Sequence, residues 1–213
     1  LLNVVDDRWE RQFLACSHGY RPGRGVRTAL AEILRFRNYG MGWVAEADID
    51  DCFHSLDHEL LRGYLAAEID DPPTLALLDS WLAQGKADTH PDRGIALGMP
   101  ISPLLCNIYL HRLDQALVRG RWAVVRYADD FVICCHTKEQ AERALAVTAE
   151  ILAGLKLHLE PTKSRISSFD QGFDFLGIHF EGDRYSFLWQ DKRFVVEGPV
   201  PGWLWGYVPE GYE

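Results

Sequence analysis

The stretch VVRYADDFVICC, residues 124–135, places two adjacent carboxylates, Asp129 and Asp130, between two apolar runs. The β-branched and aromatic residues on either side predict two strands, with the acidic pair at the turn between them. Neighbouring like charges repel each other, and Asp is depleted in strand interiors. The pair therefore indicates either an ordinary Asp-rich surface turn or a site that binds a cation.

A second acidic cluster ends another predicted strand. The segment EADIDDCFHSLDH, residues 46–58, contains three Asp residues close together, the first of which is Asp48. If this strand and the hairpin are neighbours in one sheet, Asp48 and Asp129 meet at the same sheet edge. Carboxylate ligands without His or Cys favour Mg²⁺ or Mn²⁺. An ordinary Asp-rich turn is the alternative for each cluster taken alone, but two such clusters at strand ends weigh against it.

The remaining segments alternate between helical periodicity and strand-like runs. Helices are predicted at 27–39, 57–69, 74–85, 102–118 and 138–154, and further strands at 41–50, 155–160 and 173–182. Ser102 followed by Pro103 predicts one helix start, and Thr137 predicts another. Strands interleaved with helices, with hairpins late in the chain, predict an α+β fold in which one mainly antiparallel sheet is backed by helices.

Composition restricts the classes of protein to which the chain can belong. The 213 residues are 47% hydrophobic, and the formal net charge of −9 argues against a protein that simply coats nucleic acid. Residues 1–45 carry seven Arg against four acidic residues, a net of +3, so the rest of the chain carries −12. The sequence has no long uncharged apolar run, so neither a membrane span nor a membrane partner is expected. The first residues lack the basic-then-apolar order of a signal peptide. With five cysteines and no C-x-x-C spacing, we expect reduced, mostly buried thiols in a cytoplasmic protein.

Six segments together carry the signature of a known family. In chain order they are SHGYRPGRGVRTAL, ADIDDCFHSLDHELL, GIALGMPISPLLCNIYLHRLD, RYADDFVIC, GLKLHLEPTKSRI and FDFLGIHF. Their order and content resemble the successive sequence blocks of reverse transcriptases, most of all those of the group II intron lineage. The blocks span about residues 17–180, and six ordered blocks are far more specific than the YADD box alone.

The resemblance implies the palm of a right-handed polymerase with part of the fingers. On this alignment residues 1–45 form partial fingers, and residues 46–180 form the palm, with some finger elements around 72–98. Residues 181–213 form an aromatic-rich β-ribbon and a connector tail. Only about thirty residues follow the last block, so no thumb is expected, and the sequence is expected to be a portion of a longer polypeptide.

The same resemblance implies RNA-directed DNA polymerase activity, with dNTPs, a primer and an RNA or DNA template as partners. The family mechanism implies two Mg²⁺ ions, for which Mn²⁺ could substitute, at the primer 3′-hydroxyl and the triphosphate. Backbone amides near Asp51 and Cys52 are expected to hold the triphosphate. The metal ligands implied by the alignment are Asp48, the backbone carbonyl of Ile49, Asp129 and Asp130, the three Asp residues being the catalytic ones.

Two further positions concern the choice of nucleotide. Phe53 matches the aromatic steric gate that excludes a ribose 2′-hydroxyl, although a plain core Phe is the commoner fate of such a residue. Leu97 stands where the family usually has a Gln that helps to hold the incoming nucleotide, so a polar contact is lost there. This departure leaves affinity and fidelity open, and it does not involve the metal ligands.

Several residues are aligned with supporting roles. Arg21 and Arg24 match the fingers block and are expected to bind phosphates through their guanidinium groups, a solvated loop being the alternative for Arg24. Lys163 matches a basic residue that neutralises or protonates the departing pyrophosphate, and a surface lysine is the alternative. For Leu176 and Phe180 the alternative is a plain core position. Primer support is expected from Phe175, Leu176 and Gly177.

A sublineage is indicated by Leu97 and by the segment GDRYSFLWQDKRFVVEG, residues 182–198. Both resemble reverse transcriptases associated with CRISPR systems, which help to acquire spacers from RNA and are often fused to the spacer integrase. The tail is then expected to connect to that integrase. A free-standing enzyme and an intron-encoded maturase are the alternatives.

Two other functions share parts of the pattern. A nucleotidyl cyclase also uses a palm-like sheet with metal-binding carboxylates, but it does not need the SPLL helix, the fingers block or the Phe53 gate. A catalytically idle palm, retained as a nucleic-acid-binding or assembly scaffold, would not need all three carboxylates. Incubation with nucleoside triphosphates alone separates the cyclase, because a cyclase needs neither primer nor template.

Overall fold

The computed structural model describes residues 8–84, 91–189 and 192–197. Helices and strands are interleaved in the first part of the chain, and strands follow one another in the last part. The helices are α1 (Val26–Asn38), α2 (Cys52–Ser55), α3 (His58–Ala66), α4 (Pro72–Gln84), α5 (Ser102–Arg119) and α6 (Lys138–Gly154). The strands are β1 (Trp43–Ala47), β2 (Ala123–Tyr127), β3 (Asp130–Cys135), β4 (Arg165–Ser168), β5 (Phe173–Phe175), β6 (Ile178–Glu181), β7 (Arg184–Trp189) and β8 (Lys192–Glu197).

The first sheet brings the two acidic clusters together. Its strand order is β2-β3-β1-β4, and each neighbouring pair is antiparallel. Strand β1 lies between β3 and β4, and Ala47 at the end of β1 is opposite Phe131 near the start of β3. The residue after β1 therefore lies beside the two-residue turn of the β2–β3 hairpin, as expected from the sequence.

Alternating residues of the first sheet contribute to two separate cores. One face contributes Ala45 and Ile133 to a core that also contains buried residues of α5 and α6. The other face contributes Val44 and Val132, which pack with α1 and with phenylalanines of the later strands. Because both faces are buried, β2 and β3 need apolar residues at nearly every position, which explains the apolar runs of the hairpin.

Strands β5 to β8 form a second antiparallel sheet in the order β5-β6-β7-β8. One side of this sheet is aromatic, since Phe173 and Phe180 stack with ring centroids 4.8 Å apart and Phe169 meets Phe173 edge-on at 5.1 Å. The sequence predicted one mainly antiparallel sheet, whereas the structure has two four-stranded sheets that share the core around α1. The part of the predicted tail after Glu197 lies outside the described residues.

One predicted strand, the segment LKLHLE at residues 155–160, does not form in the described structure. It pairs only through a single bridge between Leu159 and Ile49. Lys156, the second residue after α6, has a positive φ of 56°, and Leu157 is fully buried. The alternating leucines therefore pack on the core without joining a strand ladder. The next strand along the chain is β4, which was not expected from the sequence.

The two predicted helix starts have different outcomes. Thr137 caps α6, because its side chain accepts a hydrogen bond from the amide of Gln140. Ser102 is the first residue of α5 but does not cap it. Its hydroxyl donates instead to the carbonyl of Ala96 and holds the preceding loop. A serine at a helix start can bond backwards in this way, because its hydroxyl competes for nearby backbone groups.

All five cysteines lie within the described residues, where they are buried and free. This agrees with the reduced, mostly buried thiols expected from the sequence. Within residues 8–84, 91–189 and 192–197, no helix combines the length and the apolar composition that a membrane crossing requires.

Candidate active site

The side chains of Asp48 and Asp129 share one pocket of about 310 Å³. Asp48 directly follows β1, and Asp129 is the second residue of the β2–β3 turn. The antiparallel pairing of β1 with β3 thus delivers both acids to one place. The other residues that line this pocket are Glu46, Ala47, Asp130, Val132, Lys163, Asp174 and Phe175.

The surroundings of Asp129 make its ionised form more costly than that of an exposed carboxyl. Burial raises the pKa of this carboxyl, and the negative charge of Asp48 raises it further. The positive charges of Lys163 and Arg126 act in the opposite direction without cancelling the effect. A cation between the two carboxylates would offset their repulsion, because a nearby positive charge favours the ionised form of an acid.

The ammonium group of Lys163 supplies part of that compensation. Its Nζ lies 2.8 Å from Oδ2 of Asp48, and the hydrogen bond and charge of Asp48 raise the pKa of Lys163. The loop that carries Lys163 also holds the backbone of the acidic segment. Glu160 donates its amide to the Asp48 carbonyl at 2.9 Å, and Asp50 donates its amide to the His158 carbonyl at 3.0 Å. The connection between α6 and β4 therefore fixes Asp48 and its counter-ion together.

The carboxylates of Asp48 and Asp129 fit the way in which nucleotide-dependent enzymes bind Mg²⁺. Within the described parts of the chain, no group of three or more His, Cys, Asp or Glu side chains is arranged to hold a metal ion by itself. Mg²⁺ keeps several waters and is usually held by one or two carboxylates together with substrate phosphates. Asp48 and Asp129 provide such a pair, and their mutual repulsion indicates a place for positive charge.

A second pocket, of about 190 Å³, shares Asp48, Asp129 and Lys163 with the first. The ring of Phe53 is half-buried there, and Leu97 is 64% exposed. His54 was not predicted from the sequence, and its Nδ1 lies 2.6 Å from Oδ1 of Asp51. The further lining residues of this second pocket are Ile49, Asp51, Cys52, Phe53, His54 and Leu97.

Arg21 is directed into the structure and not toward a substrate. Its guanidinium donates to both carboxylate oxygens of Glu10 and to the carbonyls of Leu14 and Ser17, and its side chain is 4% exposed. Because these donors are occupied and buried, the structure assigns Arg21 a role in holding the segment before α1, in place of the predicted phosphate contact. Arg24 is half-buried and donates to the carbonyl of Ala15 at 2.8 Å.

The residues expected to support the primer lie beside the first pocket. Leu176 and Gly177 form the two-residue turn between β5 and β6, with φ of 54° and 70°. Positive φ at both positions is what a tight hairpin turn requires, and it accounts for the glycine. Phe175 lines the pocket, whereas Leu176 is buried in the core around α1. Contact of these residues with a primer stays a prediction.

A buried ion pair behind the β2–β3 turn was not predicted from the sequence. Arg126 is fully buried and forms an ion pair with Asp114 of α5, which is also fully buried. Burial disfavours the charge on Arg126, but the carboxylate of Asp114 outweighs that effect, and the pKa of the guanidinium lies above its ordinary value. The available signal was an Arg inside an apolar strand, since a buried Arg requires a charged partner.

Known proteins are similar to this chain in sequence. The family profile described as reverse transcriptase (RNA-dependent DNA polymerase) matches residues 3–180. Protein YkfC of Escherichia coli (strain K12) is 31% identical over 220 aligned positions, which cover 83% of this chain and 58% of that protein. The group II intron-encoded protein LtrA of Lactococcus lactis subsp. cremoris is 35% identical over 120 positions, which cover 54% of this chain and 20% of that protein. The chain therefore spans less than two thirds of the length of these relatives.

Solved structures share the fold at low sequence identity. Apo telomerase from Candida tropicalis superimposes with a TM-score of 0.65 at 13% identity, covering 84% of this chain and 38% of that chain. Telomerase from Candida albicans in complex with a TWJ fragment of telomeric RNA gives a TM-score of 0.61 at 14% identity, covering 84% and 35%. At this identity the likeness shows the fold alone, and the predicted α+β palm is confirmed.

Proposed function

Because the chain belongs to the reverse transcriptase (RNA-dependent DNA polymerase) family, we propose that it forms the palm of an RNA-directed DNA polymerase. The enzyme would transfer a nucleotide from a dNTP to a primer 3′-hydroxyl on an RNA or DNA template. The observation that carries this proposal is that Asp48, Asp129 and Lys163 lie together and line the same two pockets. Since the relatives are longer than this chain, the proposal concerns the protein in which this palm works.

In the proposed reaction the acidic pocket holds two Mg²⁺ ions, for which Mn²⁺ can substitute. Two such ions would supply a lowered pKa at the primer hydroxyl and positive charge for the departing pyrophosphate. Burial and the charge of Asp48 raise the pKa of Asp129, and a cation bound beside it would favour the ionised form that acts as a ligand. The end of a buried sheet holds the carboxylates in place before substrate arrives, which is what preorganised electrostatic catalysis needs. The proposed ligands are Asp48, the carbonyl of Ile49, Asp129 and Asp130.

Lys163 has two successive roles in this proposal. In the absence of substrate its ammonium group compensates the charge of Asp48 at 2.8 Å. Its side chain is 69% exposed, so it is free to turn away once Asp48 has another cation. The same ammonium group is then available to neutralise or protonate the departing pyrophosphate.

We propose that the second pocket receives the incoming nucleotide. Phe53 would occupy the space that a ribose 2′-hydroxyl needs, and the amides at Asp51 and Cys52 would hold the triphosphate. Leu97 offers this nucleotide only an apolar contact, because it has no hydrogen-bonding group. Its exposure of 64% leaves the side chain available for that contact.

The finer proposals concern organisation and biological role. We propose that residues 1–45 are partial fingers, residues 46–180 the palm with finger elements around 72–98, and residues 181–213 a β-ribbon and connector. Leu97 and the sequence of the connector support a role in acquiring CRISPR spacers from RNA, with the connector reaching an integrase. The similarity to an intron-encoded protein favours a group II intron maturase as the second candidate.

Primer extension on poly(rA) with an oligo(dT) primer, dTTP and Mg²⁺ tests the polymerase proposal. The wild-type protein is expected to extend the primer, and Asp129→Asn is expected to abolish extension because the amide cannot carry the ligand charge. Asp70→Asn, at an exposed position outside both pockets, is the matched control and is expected to keep full activity.

Three outcomes would contradict the proposal in different ways. Equal extension by the wild-type protein and Asp129→Asn would show that the shared pocket is not the active site. Conversion of nucleoside triphosphates without primer or template would indicate a nucleotidyl cyclase. Binding of primer–template without any extension, under conditions in which the protein is folded, would indicate an idle scaffold.

A further inference from the structure

The guanidinium of Arg126 uses all of its N–H groups inside the core. Nε and Nη2 donate to the two carboxylate oxygens of Asp114 at 2.7 and 2.6 Å, and Nη2 also donates to Oγ of Ser17 at 2.9 Å. Nη1 donates to Oδ1 of Asn107 at 2.9 Å and to the carbonyl of Ala128 at 2.7 Å. Since a guanidinium has five N–H donors, every one of them is engaged.

Two of these partners belong to α5. Asn107 and Asp114 lie seven residues apart in one helix and therefore on the same helix face. Asn107 also donates through Nδ2 to the carbonyl of Gly19 at 2.9 Å. Helix α5 is thus joined through Arg126 to β2 and through Asn107 to the N-terminal segment.

The N-terminal segment is bonded directly to β2 as well. The amide of Arg126 donates to the carbonyl of Cys16, and the amide of His18 donates to the carbonyl of Arg126, both at 2.8 Å. With the bond from Nη2 to Ser17, both the backbone and the side chain of Arg126 hold this segment. Arg126 therefore connects three parts of the chain at the base of the turn that carries Asp129.

The turn itself has a conformation that requires support. Ala128 has a φ of 55°, which residues with a Cβ rarely adopt. Gly19 packs closely on the same residue, because a Cβ built on Gly19 would lie 2.6 Å from the amide nitrogen of Ala128. Ala128 is therefore held at its carbonyl by Arg126 and contacted at its amide by Gly19.

We infer that Arg126 is a positioning residue for the proposed polymerase site: by holding the carbonyl of Ala128, it sets the direction of the Asp129 carboxylate. Among the described residues that line the two pockets, Arg126 is not included, so it acts through the turn and not on substrate. The inference rests on the proposed function, because it concerns the placement of a metal-binding acid.

A purely structural role would have a different consequence. If the Arg126 cluster only contributed to stability, variants that remain folded would bind metal and turn over as the wild-type protein does. Arg126→Lys keeps the positive charge beside Asp114 but concentrates three donors on one nitrogen. A lysine therefore cannot reach Asp114, Asn107 and Ala128 together, and the carbonyl of Ala128 is released.

The test combines a spectroscopic titration with kinetics, using Arg126→Lys, Gly19→Ala, Asp114→Asn and Gly63→Ala. Binding of Mn²⁺ is measured by electron paramagnetic resonance without nucleotide or primer, and kcat and KM for dTTP are measured at varied Mg²⁺. Circular dichroism identifies a temperature at which every variant is folded. Gly63→Ala is the matched control, since nothing lies within 4 Å of a Cβ built there.

Arg126→Lys and Gly19→Ala are each expected to weaken Mn²⁺ binding and to lower kcat by about 10–100-fold, the usual effect of losing a partner that orients a metal ligand. The KM for dTTP is expected to change less, because Asp51, Cys52 and Phe53, which are proposed to hold the nucleotide, are not hydrogen-bond partners of Arg126. Asp114→Asn lowers stability but keeps the bond from Nη1 to Ala128. Its Mn²⁺ affinity is therefore expected to fall less than that of Arg126→Lys.

Several results would overturn the positioning role alone. They are wild-type Mn²⁺ binding and kcat in folded Arg126→Lys, or losses that follow the melting temperature equally across all four variants. Failure of the wild-type protein to bind Mn²⁺ and to extend primers is a separate outcome. It would overturn the proposed function, and this inference with it.

Discussion

Replacing Arg126 by Met should cost the protein a large part of its stability. The methionine has a similar length but leaves the buried carboxylate of Asp114 without a counter-charge, and it leaves the carbonyl of Ala128 and Oδ1 of Asn107 without their donor. Removing one partner of a buried ion pair costs about 3–5 kcal/mol. The total free energy of unfolding of a domain is only about 5–15 kcal/mol. The melting temperature should fall by roughly 6–20 °C, at about 2–4 °C per kcal/mol for a chain of this size.

A double-mutant cycle with Asp114 tests whether the ion pair causes this loss. Asp114→Leu alone leaves the guanidinium uncompensated and should cost a similar amount. In Arg126→Met/Asp114→Leu both charges are gone, so the double variant should be within about 2 kcal/mol of either single variant. Additivity would instead make it less stable than the wild-type protein by roughly 6–10 kcal/mol. Asn107 and Ala128 still lack a donor, so recovery to wild-type stability is not expected.

The measurement is urea denaturation followed by both far-ultraviolet circular dichroism and tryptophan fluorescence. Coincident transitions from the two probes are required before a free energy of unfolding is extracted. Arg62→Met is the matched control, because the Arg62–Asp79 pair is about half exposed on both sides and such pairs contribute little. A loss below about 1 kcal/mol in Arg126→Met, or strict additivity in the double variant, would refute the assigned role of the buried pair.

Three further predictions concern pH, metal binding and nucleotide choice. Burial lowers the pKa of His18 from 6.5 to about 3. The imidazole therefore binds a proton more readily in the unfolded chain, and the free energy of unfolding should decrease as the pH falls from 6.5 toward 3. His18→Asn should show a shallower fall in urea midpoint between pH 7 and pH 4, and an identical slope would contradict this. Lys163→Gln removes the ammonium partner of Asp48, so Mn²⁺ should bind more tightly in a titration without nucleotide while primer extension slows; unchanged Mn²⁺ affinity would argue against competition between the two cations. Phe53→Ala should raise incorporation of ribonucleotides relative to dNTPs in a gel assay, and an unaltered preference would remove the steric gate from this position.

Local patterns were sufficient for the elements that carry the acids. The apolar runs on both sides of Asp129 predict the β2–β3 hairpin, because strands buried on two faces need apolar residues throughout. The cap at Thr137 predicts the start of α6 for an equally local reason, since its side chain bonds an amide only three residues away. Order and spacing of the sequence blocks then indicated the family.

Long-range pairing was less predictable. The leucines at residues 155–160 alternate as in a strand, yet they pack on the core while β4 takes the edge of the first sheet. The division of the strands into two sheets was also missed. Alternation records which side of a segment is buried, and it does not record which segment lies alongside.

The sequence by itself determined β1, the β2–β3 hairpin, the identity of the two acids and the family, because each depends on residues close together in the chain or on a fixed order of motifs. Only the tertiary structure decided which charge lies opposite which. Arg21 bonds Glu10, Lys163 bonds Asp48, and Arg126 bonds Asp114 and the carbonyl of Ala128. A charged side chain can satisfy itself with several partners, and the choice among them depends on how distant segments pack, which no local pattern specifies.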